Sequence, residues 1–394
     1  MSQDTIIVCG AGIAGLAAAA GLARKGFKVG LLGPHGQLQP PRHDDYHPRV
    51  YAISQASQQL LAQLGAWRLI DARRVTPVES MQVFGDASGE VQLHAWQSAQ
   101  PALAWIIESG ELERALRQVV DVLGVPWHDD SFQVLESGAV LTAAGKRLPA
   151  DLLVGADGAS SAVRKAAGIA HQSSPYGDTG VVTHLNAQLP HQGAAMQWFL
   201  GDSVLALLPM PDTTQGSQVS MVWSMVGETA KTLLALPAAE QAAWLEPRLL
   251  QATQGALGAL TVRSPVFGFP LFLEHSDMIA PGVALVSDAA HRVHPLAGQG
   301  LNLGLGDVQA LLDVLAQKEV FRRAGDMAVL RRYRRKRAEP LLAMRLATDG
   351  LQRLFATQLP PVMWARNAGM ALVDRVPLIK QLLIAGAAGS DRRV

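Results

Sequence analysis

The chain opens on an apolar run, Ile6-Ile7-Val8-Cys9, that ends in glycine and passes into the alanine-rich stretch Leu16 to Ala23. A short β-branched run followed by turn residues predicts a buried strand, and the alanine stretch predicts a close-packed helix. Lys25-Gly26-Phe27 ends that helix, and Lys28-Val29-Gly30-Leu31-Leu32 predicts a second parallel strand, completing a βαβ unit. Leu60, Leu61 and Leu64 fall at helical spacing and stop at Gly65. Polar and apolar positions then alternate in Met81-Gln82-Val83-Phe84 and Val91-Gln92-Leu93, so residues 78 to 107 read as strand-rich, with a helix from about Gly110 to Leu123. Two more apolar strands, Leu152-Leu153-Val154 and Val283-Ala284-Leu285-Val286, each run into a turn bearing an aspartate. From about Gly180 to Phe272, short strands punctuated by Pro209-Met210-Pro211-Asp212 and by Thr213 to Ser217 predict an inserted β-sheet, with a helix around Ala238 to Gln251. A long helix is predicted through Leu305, Val308, Leu311, Leu312 and Leu315, and the remaining C-terminal stretch reads as helical. No internal repeat or low-complexity tract interrupts this order.

Length changes the picture first. At 394 residues, 49% hydrophobic, the chain exceeds what one core serves and predicts interleaved domains. The expected division is a discontinuous nucleotide-binding domain (1–75, 106–175 and 276–330), a substrate domain (76–105 and 176–275) and a helical region (331–394). Lys plus Arg number 34 against 33 Asp plus Glu, so no global charge argues for a nucleic-acid partner. A single cysteine, Cys9, excludes a disulfide framework and a multi-cysteine metal site, and predicts a cytoplasmic, reducing compartment with Cys9 as a small buried hydrophobe. The apolar leader carries Asp4 and no Lys or Arg before the helix, which argues against a signal peptide. No run of ~18 strongly apolar residues predicts a membrane span, and surface attachment stays open.

Candidate chemistry sits at the three strand ends. Gly10, Gly12 and Gly15 fit G-x-G-x-x-G: one glycine for the turn, one for approach of a pyrophosphate, one for close helix packing. Helix-start amides then face phosphate, with the helix dipole behind them. Alone, the glycines leave a purely packing role open. A ribose-binding acid is expected at the end of the next strand, and Gly33 stands there instead. Asp157, in Gly155-Ala156-Asp157-Gly158, lies where a parallel sheet binds ligands, or else caps the next helix, which carries Arg164. Asp288 ends the third strand and leads through Pro295 to Gly298, Gln299, Gly300, Leu301 and Asn302, whose amides would stabilise negative charge on a ligand ring. Arg49, ahead of a helix, would clamp a phosphate or make a surface ion pair. His291 and His294 lack the acid or Cys cluster that completes a metal site. The run Arg331-Arg332-Tyr333-Arg334-Arg335-Lys336-Arg337 reads as a solvated helix face or a contact with anionic lipid.

Taken together, these stretches resemble the three fingerprints of single-component FAD-dependent aromatic hydroxylases, over nearly the whole chain. Within them the sequence is most similar to the ubiquinone-biosynthesis hydroxylases, through Arg49-Val50-Tyr51-Ala52-Ile53-Ser54, Ala206-Leu207-Leu208-Pro209, Phe269-Pro270-Leu271, His294 to Gly304, Ala347 to Leu351 and Arg366 to Arg375. The resemblance implies a Rossmann-like α/β FAD-binding domain interleaved with a mixed β-sheet substrate domain. It assigns Gly10, Gly12 and Gly15 to the pyrophosphate, Arg49 to the phosphate–ribityl part, Asp157 and Arg164 to the second fingerprint, and Asp288 to ribityl hydroxyls. Pro295 and the Gly298 to Asn302 backbone then lie beside the flavin ring. The implied chemistry is reduction of FAD by NAD(P)H, reaction with O2 and transfer of OH to an electron-rich phenol ring, on a lipophilic substrate met at a membrane surface or in a biosynthetic complex. Three positions depart from the family: Gly33 for the usual acid, Ser109 where Asn, Arg or Gln is common, and Ser287 before Asp288 where glycine is usual. They predict weakly held FAD and motivate a second reading, a non-catalytic scaffold that kept the fold; a flavin reductase acting on isoprenoid double bonds is a third reading of the same fold.

Overall fold

The computed structural model describes residues 4–36, 44–85, 89–293 and 298–356, with residues 370, 374, 376, 380, 381, 384 and 386 beyond them. Pro295, His294 and most of 366–375 lie outside the described residues.

The opening run forms the strand Thr5–Cys9, which pairs in parallel with Lys28–Leu32 on one side and Leu152–Gly155 on the other. It is central in a six-stranded sheet ordered Ile279–Ala280, Val283–Leu285, Leu152–Gly155, Thr5–Cys9, Lys28–Leu32, Trp127–His128. Every neighbouring pair is parallel except the first. Strands covered on both faces need apolar side chains at every position, which explains the solid run at Ile6 to Cys9. The helix Ile13–Arg24 packs beside Ser109–Val122 and Gly300–Ala316, and its Ala17 to Ala20 are almost fully buried. Alanine is the residue that lets such helices approach the sheet closely while costing least in helix formation.

A second apolar core underlies a nine-stranded mixed sheet. Its main path runs His291–Arg292, Phe267–Ser276, His171–Ala187, Gly216–Val226, Val204–Thr213, Ala194–Phe199, Ser80–Phe84, Glu90–His94, with Leu260–Val262 added beside His171–Ala187. Alternation decides which face each residue serves. Val181, Leu185, Leu205, Leu207, Val219, Met221 and Trp223 pack with Leu233, Leu245 and Leu249 from the helices Gly227–Leu234 and Ala238–Thr253. Their sequence neighbours Val182, Ala206, Leu208, Ser220 and Val222 face the opposite way, onto a cavity. A three-stranded sheet, Val50–Ile53, Ala104–Glu108 and Val75–Val78, bridges the two cores.

Two expectations change here. Pro209-Met210-Pro211-Asp212 does not break the sheet, since the strand Val204–Thr213 continues through it. Pairing with Ala194–Phe199 ends at Leu207, so both prolines lie where one side of the strand has no ladder partner and their missing N–H groups cost little. The charge run is not wholly a solvated face either. In the helix Met327–Ala356, Arg331, Arg334, Arg335 and Lys336 are exposed, but Tyr333 and Arg337 turn inward and are buried. No described helix is long and apolar enough to cross a membrane.

Candidate active site

The three glycines of the opening turn do separable work. Gly10 has φ +115°, and a Cβ there would lie 2.1 Å from the Ala156 carbonyl oxygen. A Cβ at Gly15 would lie 1.9 Å from the Gly10 carbonyl oxygen, so the helix start is pressed onto the strand end. Gly12 is different: a Cβ there meets nothing within 4 Å. Its open side, with Ile13 and Ala14, faces a cavity of about 480 Å³. Cys9, just behind, is buried, and desolvation followed by the Asp157 charge pushes its thiol up to about 12.

The cavity continues past Arg49, Tyr51, Glu113, Asp288, Gly298, Gly300 and Leu301, and the β-sheet face closes it with Val182, Ala206, Leu208, Val222 and Phe269 to Leu271. Arg49 makes no ion pair among the described residues; its guanidinium lies 3.4 Å from the Tyr51 hydroxyl and 5.1 Å above the Phe269 ring. Asp288 opens to this cleft and has no hydrogen-bond partner among the described residues. The surrounding protein mass pushes its carboxyl above the usual range, against the pull of His291, Arg292 and Arg49. Gly298 takes the left-handed φ of +63° that turns the chain into the helix Gly300–Ala316, whose start points at the cavity.

Other expected site residues serve as ties. Asp157 accepts from the Ser161 hydroxyl at 2.6 Å and the Val163 amide at 3.1 Å, holding the start of the short helix Ala162–Ala166. Arg164 is buried; its guanidinium donates to the carbonyls of Ala159 at 2.6 Å and Ala289 at 2.7 Å, binding the second strand-end turn to the third. Asn302 accepts from the Ser54 amide at 2.9 Å and donates to the Ala52 carbonyl at 2.8 Å. It also donates to the Gln299 side chain at 3.2 Å. The strand leading from Arg49 and the helix start at Gly300 are thereby one unit.

Behind Asp288 lies a buried network absent from the sequence expectations. Asp307 is fully buried. One oxygen accepts from His291 Nε2 at 2.6 Å and from the Ser287 amide at 2.9 Å, and the other accepts from Arg337 Nε at 2.6 Å. Burial alone would raise this carboxyl, but His291, Arg337 and the hydrogen bonds outweigh it and hold it below its ordinary range. His291 is thus spent on Asp307. The inward residues of the charge run are the signal for this network: Tyr333 and Arg337 are four apart on one helix face, and the Tyr333 hydroxyl donates to Leu285 O at 2.7 Å.

The departures from the family have physical counterparts. Gly33 leaves little room for any side chain, since a Cβ there would lie 3.1 Å from the Ala11 amide nitrogen. Ser109 is buried, and its hydroxyl is bonded to His47 Nδ1 at 2.8 Å instead of facing the cavity. Ser287 holds φ +56°, a left-handed conformation that glycine adopts freely and serine does not. Ser287→Gly is therefore expected to stabilise the protein by about 1 kcal/mol, read from urea midpoints, because relief of strain exceeds the added chain entropy.

Known proteins share both sequence and fold. The family described as "FAD binding domain" matches residues 3–345. The 3-demethoxyubiquinol 3-hydroxylase of Escherichia coli (strain K12) is 32% identical over 403 residues, covering 98% of each chain. Ubiquinone hydroxylase UbiL of Rhodospirillum rubrum is 32% identical over 396 residues, covering 98% of this chain and 89% of its own. Among solved structures, p-nitrophenol 4-monooxygenase PnpA from Pseudomonas putida DLL-E4 superposes with TM-score 0.73 at 16% identity, covering 100% of this chain and 99% of that one. PqsL of Pseudomonas aeruginosa, a probable FAD-dependent monooxygenase, superposes with TM-score 0.72 at 22% identity, covering 94% and 100%. The structures share the fold, and the full-length sequence identity carries the assignment: the chain belongs to the FAD-binding monooxygenase family that includes the ubiquinone-biosynthesis hydroxylases.

Proposed function

We propose that the protein hydroxylates the aromatic ring of a polyprenylated phenol or quinol intermediate of ubiquinone biosynthesis, using FAD with NAD(P)H and O2 as co-substrates. The observation that carries this reading is one continuous cavity that joins the glycine turn and the Asp288 carboxylate, without a hydrogen-bond partner among the described residues, to an apolar β-sheet wall. The residues fit a flavin dinucleotide: Gly12 presents an open backbone, Asp288 a carboxylate acceptor unpaired among the described residues, and two helices start at the cavity. FAD, when bound, supplies the redox chemistry with NAD(P)H and O2.

In this reading the amides at Gly12 to Ala14 and Arg49 bind the pyrophosphate and its neighbouring oxygens, and Asp288 orients the ribityl chain. Asp157 and Arg164 act indirectly, by fixing the turns that carry Ala156, Gly158 and Asp288. The amides from Gly298 to Asn302 would hold the ring of a bound flavin and favour negative charge on it. The apolar sheet wall of the cavity would keep water from the reacting atoms. Gln197 and Ser220 are polar side chains on that wall without hydrogen-bond partners among the described residues, and they are placed to orient the oxygen substituents of a substrate ring. A lipophilic substrate of this kind brings the enzyme to a membrane surface, as a peripheral protein alone or within a biosynthetic complex.

The test is direct. Extensive dialysis is expected to remove FAD, because Gly33 and Ser109 supply no cofactor contact, where one charged hydrogen bond is worth ~1.5–3 kcal/mol. Replenished protein is expected to oxidise NAD(P)H faster with a demethoxyubiquinol analogue and to release its hydroxylated product. No product at FAD saturation would return the scaffold reading; near-full FAD occupancy after dialysis would overturn the prediction of weak binding.

A further inference from the structure

Asp288 is joined in the cavity by a second carboxylate that has no partner among the described residues. Glu113 lines it together with Gly12 to Ala14 and Arg49, and has neither a hydrogen bond nor an ion pair among the described residues. It is on the helix Ser109–Val122, one turn beyond Ser109 and on the same face. The neighbouring arginines of its own helix are engaged elsewhere. Arg114 pairs with Glu111 at 2.7 Å. Arg117 donates to the Gly36 carbonyl and lies 5.3 Å above the Trp127 ring. Burial pushes the Glu113 carboxyl above its usual range, against the pull of Arg117, His47 and Arg49. A carboxylate partly withdrawn from water without a donor is costly, and a ligand hydroxyl is the group that would relieve it.

We infer that Glu113 binds the flavin nucleotide, its carboxylate accepting a hydrogen bond from a hydroxyl of the ribityl chain or of the adenosine ribose. It thereby supplies a polar contact that Gly33 lacks and that Ser109, tied to His47, has withdrawn. The helix has moved the contact by one turn. The inference rests on the flavin reading above.

The experiment compares the parent with two side chains of similar length. Glu113→Gln keeps an acceptor oxygen; Glu113→Met keeps the bulk and loses it. FAD affinity is measured by flavin fluorescence on dialysed protein, with circular dichroism and thermal midpoints confirming that each variant is folded. Glu113→Met is expected to raise the FAD Kd about tenfold or more, and Glu113→Gln by less than about threefold. ADP, which has the ribose and pyrophosphate but no ribityl chain, separates the two sources by competition. A parallel loss of ADP affinity assigns the ribose, and an unchanged ADP affinity assigns the ribityl chain. An unchanged or tighter FAD Kd in Glu113→Met overturns the inference while leaving the flavin reading intact. A parent that binds no FAD overturns both.

Discussion

Replacing Asp307 by alanine is expected to cost the protein about 3–5 kcal/mol of stability. The variant leaves the buried Arg337 guanidinium without its carboxylate, holding only the Leu303 carbonyl among the described residues, takes the carboxylate from the buried His291 ring, and strips the Ser287 amide of its acceptor. The loss exceeds the net value of the intact ion pair, because an uncompensated buried charge bears its full desolvation cost. Asp307→Asn keeps the shape but removes the charge, and is expected to fall between the two. Denaturant midpoints with FAD absent measure the effect. The pH dependence has a definite sign. Asp307's folded carboxyl lies below the ordinary range, so its stabilisation is complete above the unfolded value and lost as pH falls through the folded one. The parent is thus expected to lose more stability between neutral and acid pH than Asp307→Ala does. Equal stability of parent and Asp307→Ala at neutral pH would show that the network is replaceable by water.

The glycine turn supplies the second large effect, with a built-in control. Gly15→Ala places a methyl group against the Gly10 carbonyl, which is backbone and has no rotamer to escape into. Helix and strand must separate, at a cost of about 3 kcal/mol, and FAD binding is expected to disappear with the geometry of the turn. Gly12→Ala has the opposite balance. Its methyl group enters open space, so the fold is expected to lose no more than about 1 kcal/mol, yet the cavity is narrowed where a pyrophosphate must approach. FAD titration and thermal unfolding on both variants distinguish the two roles. A Gly12→Ala protein that binds FAD normally would remove the pyrophosphate from that position.

The sheet and its three strand ends were legible because strands buried on both faces must be apolar throughout, and few other elements produce Ile6 to Cys9, Leu152 to Val154 and Val283 to Val286. The cavity proposed to hold the cofactor is lined from those ends, by Gly12, Ala156, Gly158 and Asp288. What sequence spacing did not reveal depends on partners distant in the chain. Ser109 looks available until His47 is brought beside it, and spacing does not show that the Arg164 guanidinium donates to the carbonyls of Ala159 and Ala289. Arg337 sits in a run whose other members face water, and only the proximity of Asp307 explains its burial. Glu113 resembles any other helix acid until the cavity wall shows it without a donor among the described residues. The prolines of Val204–Thr213 misled for a related reason: whether a missing N–H matters depends on which strand lies alongside.

The amide clamp of Asn302 on Ala52 and Ser54 joins segments about 250 residues apart in sequence. During synthesis, the strand following Arg49 leaves the ribosome long before its partner exists. The first βαβ unit can pair locally, but the flavin-facing rim closes only when the last third of the chain has been made, and Arg337 follows later still. The helix Gly300–Ala316 also brings Leu305, Val308, Leu311, Leu312 and Leu315 to the core beneath the central sheet, so the rim and the core that supports it are completed together by the last third of the chain.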